Sequence, residues 1–295
     1  MRRRPAFHPI TIEDRALLDA RLRAAGYPLC EYTFATLFCW GGCNQTSFAL
    51  ADDWLLIHFN VNGEEGYLCP VGTGDPTWAM DFCLEDLAAR GQAPVVKMVP
   101  EKVATGLSKT RYKVTLDRPN CDYVYERSAL AELKGRHYSR KRNFIRRFLK
   151  SCNSSISPLT KEDIAGCIRL VKEWREGVQG CGNLWLDFEV EACLVCLSNF
   201  AELHLLGCVL RVDGCIKGFA IGEPLTRDMF VVHYEKAVRE CEGIYPVLTQ
   251  NFARLIPPTY TLVNREQDLG VEGLRQAKES YFPLRLEPAY FVEPI

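Results

Sequence analysis

Residues 264–283 carry the side chains most suited to chemistry in this sequence. Seven of these twenty residues are charged, and they follow a short apolar run, residues 261–263, that predicts a strand. The end of a strand holds side chains at a fixed point. The start of the helix predicted next offers backbone N–H groups and a positive dipole end. This strand-to-helix junction is therefore a candidate site for an anion or a polarised carbonyl group.

Three residues of the junction are candidates for catalysis. Asp268 precedes the predicted helix, where it suits either an N-cap or a catalytic or substrate-binding carboxylate. Arg275 and Lys278 are three residues apart on one helix face, so both can reach one anion or carbonyl oxygen. Local ion pairs with Glu272 and Glu279 are the alternative.

A second group of candidates ends a predicted strand, residues 229–235. Because side chains alternate along a strand, His233 and Glu235 share one face, and Tyr234 and Lys236 share the other. Either His233 or Glu235 could accept a proton near neutral pH. A strand end that enters solvent with an ion pair is the alternative.

Residues 134–150 are strongly basic and contain no acidic residue. Ile145, Phe148 and Leu149 recur at helical spacing beside Phe144, which predicts a helix with one buried stripe and an opposite cationic face. That face suits the phosphates of tRNA or of lipid head groups, and ion pairing with acidic neighbours is the alternative. The predicted nucleic-acid or phosphate-binding residues are Lys134, Arg136, Arg140, Lys141, Arg142, Arg146 and Arg147.

The elements that position these residues follow a definite order from residue 157 onward. The predicted helices are residues 160–176, 188–201, 245–255 and 271–280, and the predicted strands are 205–212, 215–221, 229–235, a strand ending at 263, and 284–291. Asp213-Gly214 joins the first two strands as a hairpin. Two helices, three meandering strands, then helix, strand, helix, strand is the order of the GNAT acyltransferase fold, a mixed sheet with an antiparallel front half.

The first half predicts a similar order. Its elements are a helix at 11–24, three strands between 33 and 70, a helix at 78–90, a strand at 94–99, a short helix near 101, and strands at 111–116 and 122–126. We therefore predict an α+β protein of two tandem GNAT-like acyltransferase domains joined by a basic helix. The polar stretch 151–157 places the boundary. The N-terminal domain is then residues 1–150, with linker helix 138–150, and the C-terminal domain, residues 151–295, carries the active site.

Residues 239–245 occupy the position at which GNAT enzymes carry a glycine-rich loop around the pyrophosphate of coenzyme A. Gly243 fits that pattern, but Tyr245 replaces a small residue, and Glu240 and Glu242 would repel phosphate. The sequence therefore argues against coenzyme A in the C-terminal half. An ordinary loop glycine is the alternative for Gly243.

Composition restricts the location and the cofactors. The net charge is −1, no run approaches about 18 apolar residues, and the basic start lacks the apolar core of a signal peptide. These features predict a cytoplasmic protein, with peripheral attachment at a membrane surface left open. The fourteen cysteines are scattered singly, which predicts free thiols, and no motif has metal-site spacing, so we expect no metal.

Three blocks of residues carry a family resemblance. The first is Asp122-Tyr-Val-Tyr125 with Leu130, Leu133-Lys-Gly135, Tyr138, Lys141-Arg-Asn143 and Phe148; the second is His233-Tyr-Glu-Lys236-Ala237 with Gly243-Ile-Tyr245; the third is Asn264-Arg-Glu-Gln-Asp268-Leu-Gly270 with Gly273-Leu-Arg275 and Lys278. Together they resemble the bacterial family named after the C-terminal domain of phosphatidylglycerol lysyltransferase.

The resemblance implies tandem GNAT-like domains related to the Fem-type ligases, which use aminoacyl-tRNA. In the lysyltransferases this domain moves an amino acid from its tRNA ester to a lipid hydroxyl. Those enzymes also carry an N-terminal multi-helix membrane portion, and none is predicted here, so the chain resembles a free-standing relative. The substrate-binding candidates are His233, Lys236, Asn264, Arg265, Glu266, Gly243 and Tyr245.

We expect transfer of an amino acid from aminoacyl-tRNA to a hydroxyl or amine of a lipid or small molecule, with no cofactor required. Such transfer needs a bound oxyanion and a proton acceptor. Arg275 and Lys278 would hold the oxyanion or the donor phosphate, while Asp268 or Glu235 would bind the donor amine or take the proton. The alternatives are an acyl-coenzyme A N-acetyltransferase that uses the N-terminal half around residues 71–75, and a non-catalytic protein that binds RNA or an acidic partner through residues 134–150.

Overall fold

The structure is a computed structural model that describes residues 5–177, 184–238 and 241–295. Two residues of the predicted glycine loop, Arg239 and Glu240, lie outside the described residues, as do residues 1–4 of the basic start. The helices are α1 Arg15–Ala25, α2 Phe34–Cys39, α3 Thr77–Ala89, α4 Glu101–Ala104, α5 Arg127–Glu132, α6 Ser139–Ser151, α7 Ile164–Glu176, α8 Leu184–Ser198, α9 Ile244–Leu255 and α10 Glu272–Glu279. No helix in these ranges has both the length and the apolarity needed to cross a membrane.

The strands form two sheets of seven. They are β1 His8–Pro9, β2 Ser47–Ala51, β3 Trp54–Val61, β4 Glu64–Leu68, β5 Val96–Pro100, β6 Tyr112–Leu116, β7 Asp122–Glu126, β8 Ser154–Pro158, β9 Leu206–Val212, β10 Cys215–Pro224, β11 Met229–Ala237, β12 Leu262–Asn264, β13 Arg285–Glu287 and β14 Ala289–Pro294. The first sheet has the order β1-β2-β3-β4-β5-β14-β6, and the second has the order β13-β7-β12-β11-β10-β9-β8.

The two sheets repeat one plan. In the first, β2, β3 and β4 are antiparallel neighbours, and β4 pairs in parallel with β5. In the second, β9, β10 and β11 are antiparallel neighbours, and β11 pairs in parallel with β12. Three antiparallel strands followed by a parallel one is the element order that the sequence predicts for each half.

Each parallel strand has an antiparallel neighbour that comes from the other half of the chain. β14, near the C-terminus, pairs with β5, and β7 pairs with β12. By contacts, the chain therefore divides into a first unit of the described residues of Met1–Asp122 with Gln267–Glu272 and Leu286–Ile295, and a second unit of Tyr123–Glu266 with Gly273–Arg285. The predicted division at residue 150 differs from this one. Residues 123–150, including the basic helix α6, group with the second unit because β7 joins its sheet and α5 and α6 pack on α9.

The structure confirms two further sequence predictions and contradicts a third. The Asp213-Gly214 hairpin between β9 and β10 is confirmed, and both turn residues have positive φ, 50° and 77°. The single strand predicted at residues 284–291 is wrong, because it is two strands, β13 and β14, in different sheets. Pro288 lies between them and has no N–H to continue a ladder. The thirteen described cysteines are free thiols, as predicted.

The core of the second unit is rich in aromatic side chains. Tyr123 and Tyr125 on β7, Phe148 on α6 and Phe252 on α9 are each at most 1% exposed. Helix α7 packs against β10 and β11. Val263 and Asn264 at the end of β12 are also at most 1% exposed, so the junction between β12 and α10 begins in this core.

Candidate active site

The chain bends sharply where β12 ends. Asn264 is fully buried, and its Oδ1 accepts a hydrogen bond from the N–H of Glu266, 2.7 Å away. Glu266 has a φ of 58°, a conformation that costs a non-glycine residue free energy and that is common at functional sites. Tyr123 holds both sides of the bend through backbone hydrogen bonds with Arg265 and Glu266. The ammonium of Lys278 donates to the carbonyl oxygens of Arg265 and Glu266, so α10 also fixes the bend.

The bend directs the Arg265 guanidinium to the carboxylate of Glu235. Arg265 Nη2 donates to Glu235 Oε2, and Thr249 Oγ1 donates to Glu235 Oε1 at 2.8 Å. The guanidinium carbon lies 4.8 Å from the centroid of the Tyr281 ring and 5.6 Å from that of Tyr125. Burial alone would lower the pKa of Arg265, but the charge of Glu235 outweighs it and raises the pKa. Arg265 is therefore a permanent cation held by one carboxylate and two aromatic rings.

One nitrogen of the Arg265 guanidinium takes no part in these contacts. Its Nη1 is buried and has no hydrogen-bond acceptor among the described residues. A cavity of about 10 Å³, close to the space of one water molecule, is lined by Arg265, Glu235, Thr249 and apolar side chains. A cavity of this size is too small for a substrate, so a donor or acceptor must reach Arg265 and Glu235 from outside it.

His233 lies between two carboxylates. Its Nδ1 is 2.9 Å from Glu266 Oε1, and its Nε2 is 3.2 Å from Glu223 Oε1. Burial opposes the charge on His233, but hydrogen bonds to both glutamates outweigh it and raise the pKa of His233 to about 10. As an imidazolium, His233 donates from both nitrogens and has no lone pair for a proton. It holds Glu266 in place and does not fit the alternative role of proton acceptor.

Lys141 turns inward, although the sequence grouped it with the exposed cations. It lies seven residues before Phe148, so both side chains fall on the buried face of α6. Lys141 Nζ donates to Ser280 Oγ at 2.7 Å and lies 3.8 Å from the centroid of the Tyr281 ring. Burial, followed by the charges of Arg265 and Arg140, lowers the pKa of Lys141 to about 8. A lysine amine with this pKa can exchange a proton near neutral pH.

Two other residues, Asp268 and Arg275, were predicted to be catalytic. Asp268 belongs to the first unit and is fully buried, with Oδ2 accepting from Arg118 Nη1 at 3.0 Å and Oδ1 accepting from the Gly270 N–H at 2.8 Å. These bonds stabilise the turn before α10. Asp268 lies four residues before α10 begins at Glu272, and its carboxylate is hydrogen-bonded to Gly270 within that turn. Arg275 is partly exposed on α10, three residues before Lys278.

Three predicted substrate-binding residues have structural contacts. Lys236 is 4% exposed, forms a 2.5 Å ion pair with Glu189, and lies 3.7 Å from the ring centroid of Trp174. Gly243 has a φ of 92°, and a Cβ there would lie 2.6 Å from the carbonyl oxygen of Phe144 on α6. The Tyr245 hydroxyl donates to the Ala237 carbonyl at 3.2 Å. Gly243 is thus required by helix packing, which explains its presence without a phosphate.

The remaining cations of residues 134–150 do not form one uniform surface. Arg142 donates to the carbonyl oxygens of Leu133 and Gly135, so it holds the turn before α6. Lys134 and Arg147 pair with the exposed carboxylates of Glu132 and Glu242. The three arginines Arg136, Arg140 and Arg146 are exposed. We call Arg136, Arg140 and Arg146 the exposed arginine set.

One group of described residues has donor atoms close enough for a metal ion. The side chains of Cys30, Glu31 and Asp122 in the first unit have ligand atoms within 4.8 Å of one another. The Cys30 N–H donates to Asp122 Oδ2 at 2.8 Å, so this group also has a structural role.

Sequence analysis selected Glu235, Arg265, Glu266 and Lys278 as candidates. In the structure these residues lie around the bend after β12. Sequence analysis missed the inward position of Lys141 and the roles of Tyr125, Tyr281 and Thr249. The seven-residue spacing between Lys141 and Phe148 was a usable signal for the first. The tyrosines gave none, because a buried tyrosine is more often core than site.

Comparison with known proteins supports the family resemblance. Residues 25–293 match the family described as phosphatidylglycerol lysyltransferase, C-terminal. A conserved protein of unknown function from Bacteroides thetaiotaomicron is 34% identical, with a TM-score of 0.90 over 98% of this chain and 99% of that chain. No curated protein matches the chain.

Two further solved structures share the fold. L-PGS from Bacillus licheniformis is 14% identical, with a TM-score of 0.65 over 95% of this chain and 91% of that chain. FemX is 11% identical, with a TM-score of 0.59 over 98% of this chain and 97% of that chain. The predicted mixed α/β class with tandem GNAT-like domains is confirmed, and family and fold together indicate an acyltransferase-like protein.

Proposed function

This chain belongs to the phosphatidylglycerol lysyltransferase C-terminal family, and from that premise we propose that it transfers an amino acid from aminoacyl-tRNA to a hydroxyl or amine of a lipid or small molecule. The observation that carries the proposal is the grouping of Lys141, Arg265 and Lys278 around Tyr281 and the bend after β12. Acyl transfer from an ester develops negative charge on the carbonyl oxygen, and fixed cations stabilise that charge.

Each cation has a separate part in the proposed reaction. Arg265, held by Glu235, is oriented for an anionic group. Lys278 keeps the carbonyl groups of Arg265 and Glu266 at the bend, and Arg275, on the same helix, completes a positive edge for the oxyanion or the donor phosphate. Glu266, fixed by His233, presents a carboxylate suited to the α-amine of the donor.

A tRNA donor suits this protein better than coenzyme A. Arg140 and Arg146 of the exposed arginine set lie on α6 with Lys141, Arg136 lies just before this helix, and such side chains bind nucleic-acid phosphates. At the position of the pyrophosphate loop, the backbone of α6 occupies the space beside Gly243, and Glu242 adds a negative charge. No cofactor beyond the donor is needed in the proposed reaction. We place the reaction in the cytoplasm, with the acceptor reached in solution or at a membrane surface.

The test is a transfer assay with each of the twenty aminoacyl-tRNAs, carrying a labelled amino acid, and two acceptor sources: phosphatidylglycerol vesicles and a small-molecule cell extract. A protein-free reaction gives the background of spontaneous ester hydrolysis. We expect one or a few tRNAs to lose label to a stable product in equal amount. Loss of label from none of them would contradict the proposal. A matched assay with labelled acetyl-coenzyme A distinguishes the alternative, because acetylated product there would assign the protein to N-acetyltransferases.

A further inference from the structure

We propose that Lys141 is the proton acceptor of this site and deprotonates the attacking hydroxyl or amine of the acceptor. This inference rests on the proposed function and adds a residue that the sequence had assigned to phosphate binding. The first reason is the position of Lys141. Helix α6 presents its other cations to solvent or to backbone carbonyls, whereas Lys141 points toward Ser280 and Tyr281.

The surroundings of Lys141 limit its charge. Its Nζ contacts a hydroxyl oxygen, Ser280 Oγ, and the ring of Tyr281, and Arg265 lies 4.8 Å from the same ring. The charged and titratable groups that face it are Arg265 after β12, Arg140 on α6, Glu235 on β11 and Tyr281 after α10. Two of these are arginines, and the one carboxylate is bound by Arg265 and Thr249. The amine therefore loses its proton more easily than a solvated lysine does.

The other candidates in the second unit are less suited to take a proton. His233 is already an imidazolium between Glu223 and Glu266. Glu235 accepts hydrogen bonds from Arg265 at one oxygen and from Thr249 at the other. Lys141 is partly exposed. Ser280 Oγ accepts from its Nζ, and the Ser280 hydroxyl itself donates to the Ala277 carbonyl at 2.6 Å, so Ser280 does not occupy the lone pair of the neutral amine.

The proposed step balances without a further reactant. The lone pair of Lys141 Nζ takes the proton of the acceptor hydroxyl or amine. The oxygen or nitrogen of the acceptor forms a bond to the carbonyl carbon of the aminoacyl ester. The bond between that carbon and the ribose oxygen then breaks with its electron pair on oxygen. The Lys141 ammonium gives its proton to that oxygen, which releases tRNA and restores the free amine.

Lys141→Arg separates this role from charge and packing, because arginine stays protonated at every pH of the assay. Lys161→Arg is the matched control, since the Lys161 side chain is 89% exposed in the short 3-10 helix Lys161–Asp163. With a hydroxyl acceptor, we expect Lys141→Arg to lower kcat/KM at least about 100-fold, with unchanged tRNA affinity and Tm. The rise of kcat/KM with a midpoint near pH 8 should disappear in this variant. A rise of kcat/KM that is caused by deprotonation of the α-amine of the donor would persist in both proteins.

A second readout does not depend on activity. Reductive methylation with ¹³C-formaldehyde gives each lysine an NMR signal, and the signal missing in Lys141→Arg belongs to Lys141. We expect that signal to titrate near pH 8, against about 10.4 for a solvated lysine. A midpoint near 10.4, or a Lys141→Arg variant with the rate and pH profile of the natural protein, would overturn the inference while leaving aminoacyl transfer intact. Absence of transfer by the natural protein would overturn the proposed function and this role together.

Discussion

Lys141 and Arg265 contact the same aromatic ring, with Lys141 Nζ 3.8 Å and Arg265 Cζ 4.8 Å from the centroid of Tyr281. They come from α6 and from the bend after β12, more than a hundred residues apart in sequence. Two cations near one ring repel each other, and Glu235 compensates only one of them through its ion pair with Arg265. While Lys141 is protonated, Lys141, Arg265 and Glu235 together carry a net positive charge, and this excess charge favours release of the Lys141 proton.

Arg265→Met should destabilise the protein by about 3 kcal/mol, because it leaves the carboxylate of Glu235 buried without its cation. Urea unfolding measures this loss, and the double variant Arg265→Met/Glu235→Gln should recover part of it. Arg111→Met is the control, since Arg111 pairs with Asp81 at an exposed site and should change stability by at most about 1 kcal/mol. Equal effects of Arg265→Met and Arg111→Met would show that the cluster does not bury a charge.

His233 should make stability depend on pH above neutrality. Its pKa is raised from 6.5 to about 10 in the folded protein, so its contribution is complete below pH 6.5 and is lost as pH rises toward 10. Lys141 acts in the opposite sense above pH 8, because its pKa is lowered and the folded protein releases the proton first. We expect His233→Gln to be less stable at pH 6.5 and to lose less stability between pH 6.5 and pH 8 than the natural protein. Parallel pH profiles from urea unfolding would contradict a protonated His233.

Gly243→Ala and Gly273→Ala form a matched pair. Gly243 has a positive φ and no room for a Cβ beside the Phe144 carbonyl, whereas a Cβ at Gly273 meets nothing within 4 Å. We expect Gly243→Ala to lower stability by more than about 1 kcal/mol, and Gly273→Ala to raise it by about 0.5 to 1 kcal/mol because alanine favours a helix. Thermal unfolding of the two variants decides this. A neutral Gly243→Ala would return Gly243 to the list of phosphate-loop candidates.

Lys278→Met should reduce transfer by at least about tenfold, because the bend loses the ammonium that holds the carbonyl groups of Arg265 and Glu266. Glu279→Ala, at the next position of α10, is the control and should transfer at the natural rate, since Glu279 is exposed. Single-turnover rates with saturating protein measure the chemical step. Equal rates for the two variants would remove Lys278 from the site.

Charge reversal of the exposed arginine set, with Arg136, Arg140 and Arg146 each changed to Glu, should weaken tRNA binding and its salt dependence. Each lost phosphate contact lowers the slope of log Kd against log salt by about 0.7 to 0.9. Filter binding at several salt concentrations gives that slope, and Lys161→Glu is the single-charge control away from this surface. An unchanged slope would place the tRNA elsewhere on the protein.

Local patterns predicted much of this fold because the signals are local. The Asp213-Gly214 turn needs positive φ at both residues, and Pro257 and Pro258 end α9, so the hairpin and the helix follow from neighbouring residues. The exchange of β7 and β14 between the sheets could not be predicted in this way. It depends on pairing between strands that are far apart in the chain, and the alternation of apolar residues does not identify the partner.

The site was predicted in part for a similar reason. Arg265 and Glu266 stood out because they follow a strand end, and the end of a strand fixes position. Asp268 stood out for the same reason. In the structure the chain turns at Leu269 and Gly270, which both have positive φ, and the Asp268 carboxylate forms an ion pair with Arg118, which is far away in sequence. Lys141 was placed with the exposed arginines on the basic composition of the segment, although its seven-residue spacing from Phe148 puts both side chains on the buried face of α6.

The most direct test of aminoacyl transfer is a single-turnover reaction with the tRNA and acceptor that the screen selects, in which label is followed on both substrates. We predict that the natural protein moves one amino acid from tRNA to acceptor for each ester bond broken, and that Lys278→Met does so at least about tenfold more slowly. Ester loss without labelled product, or the same loss with and without protein, would contradict the account.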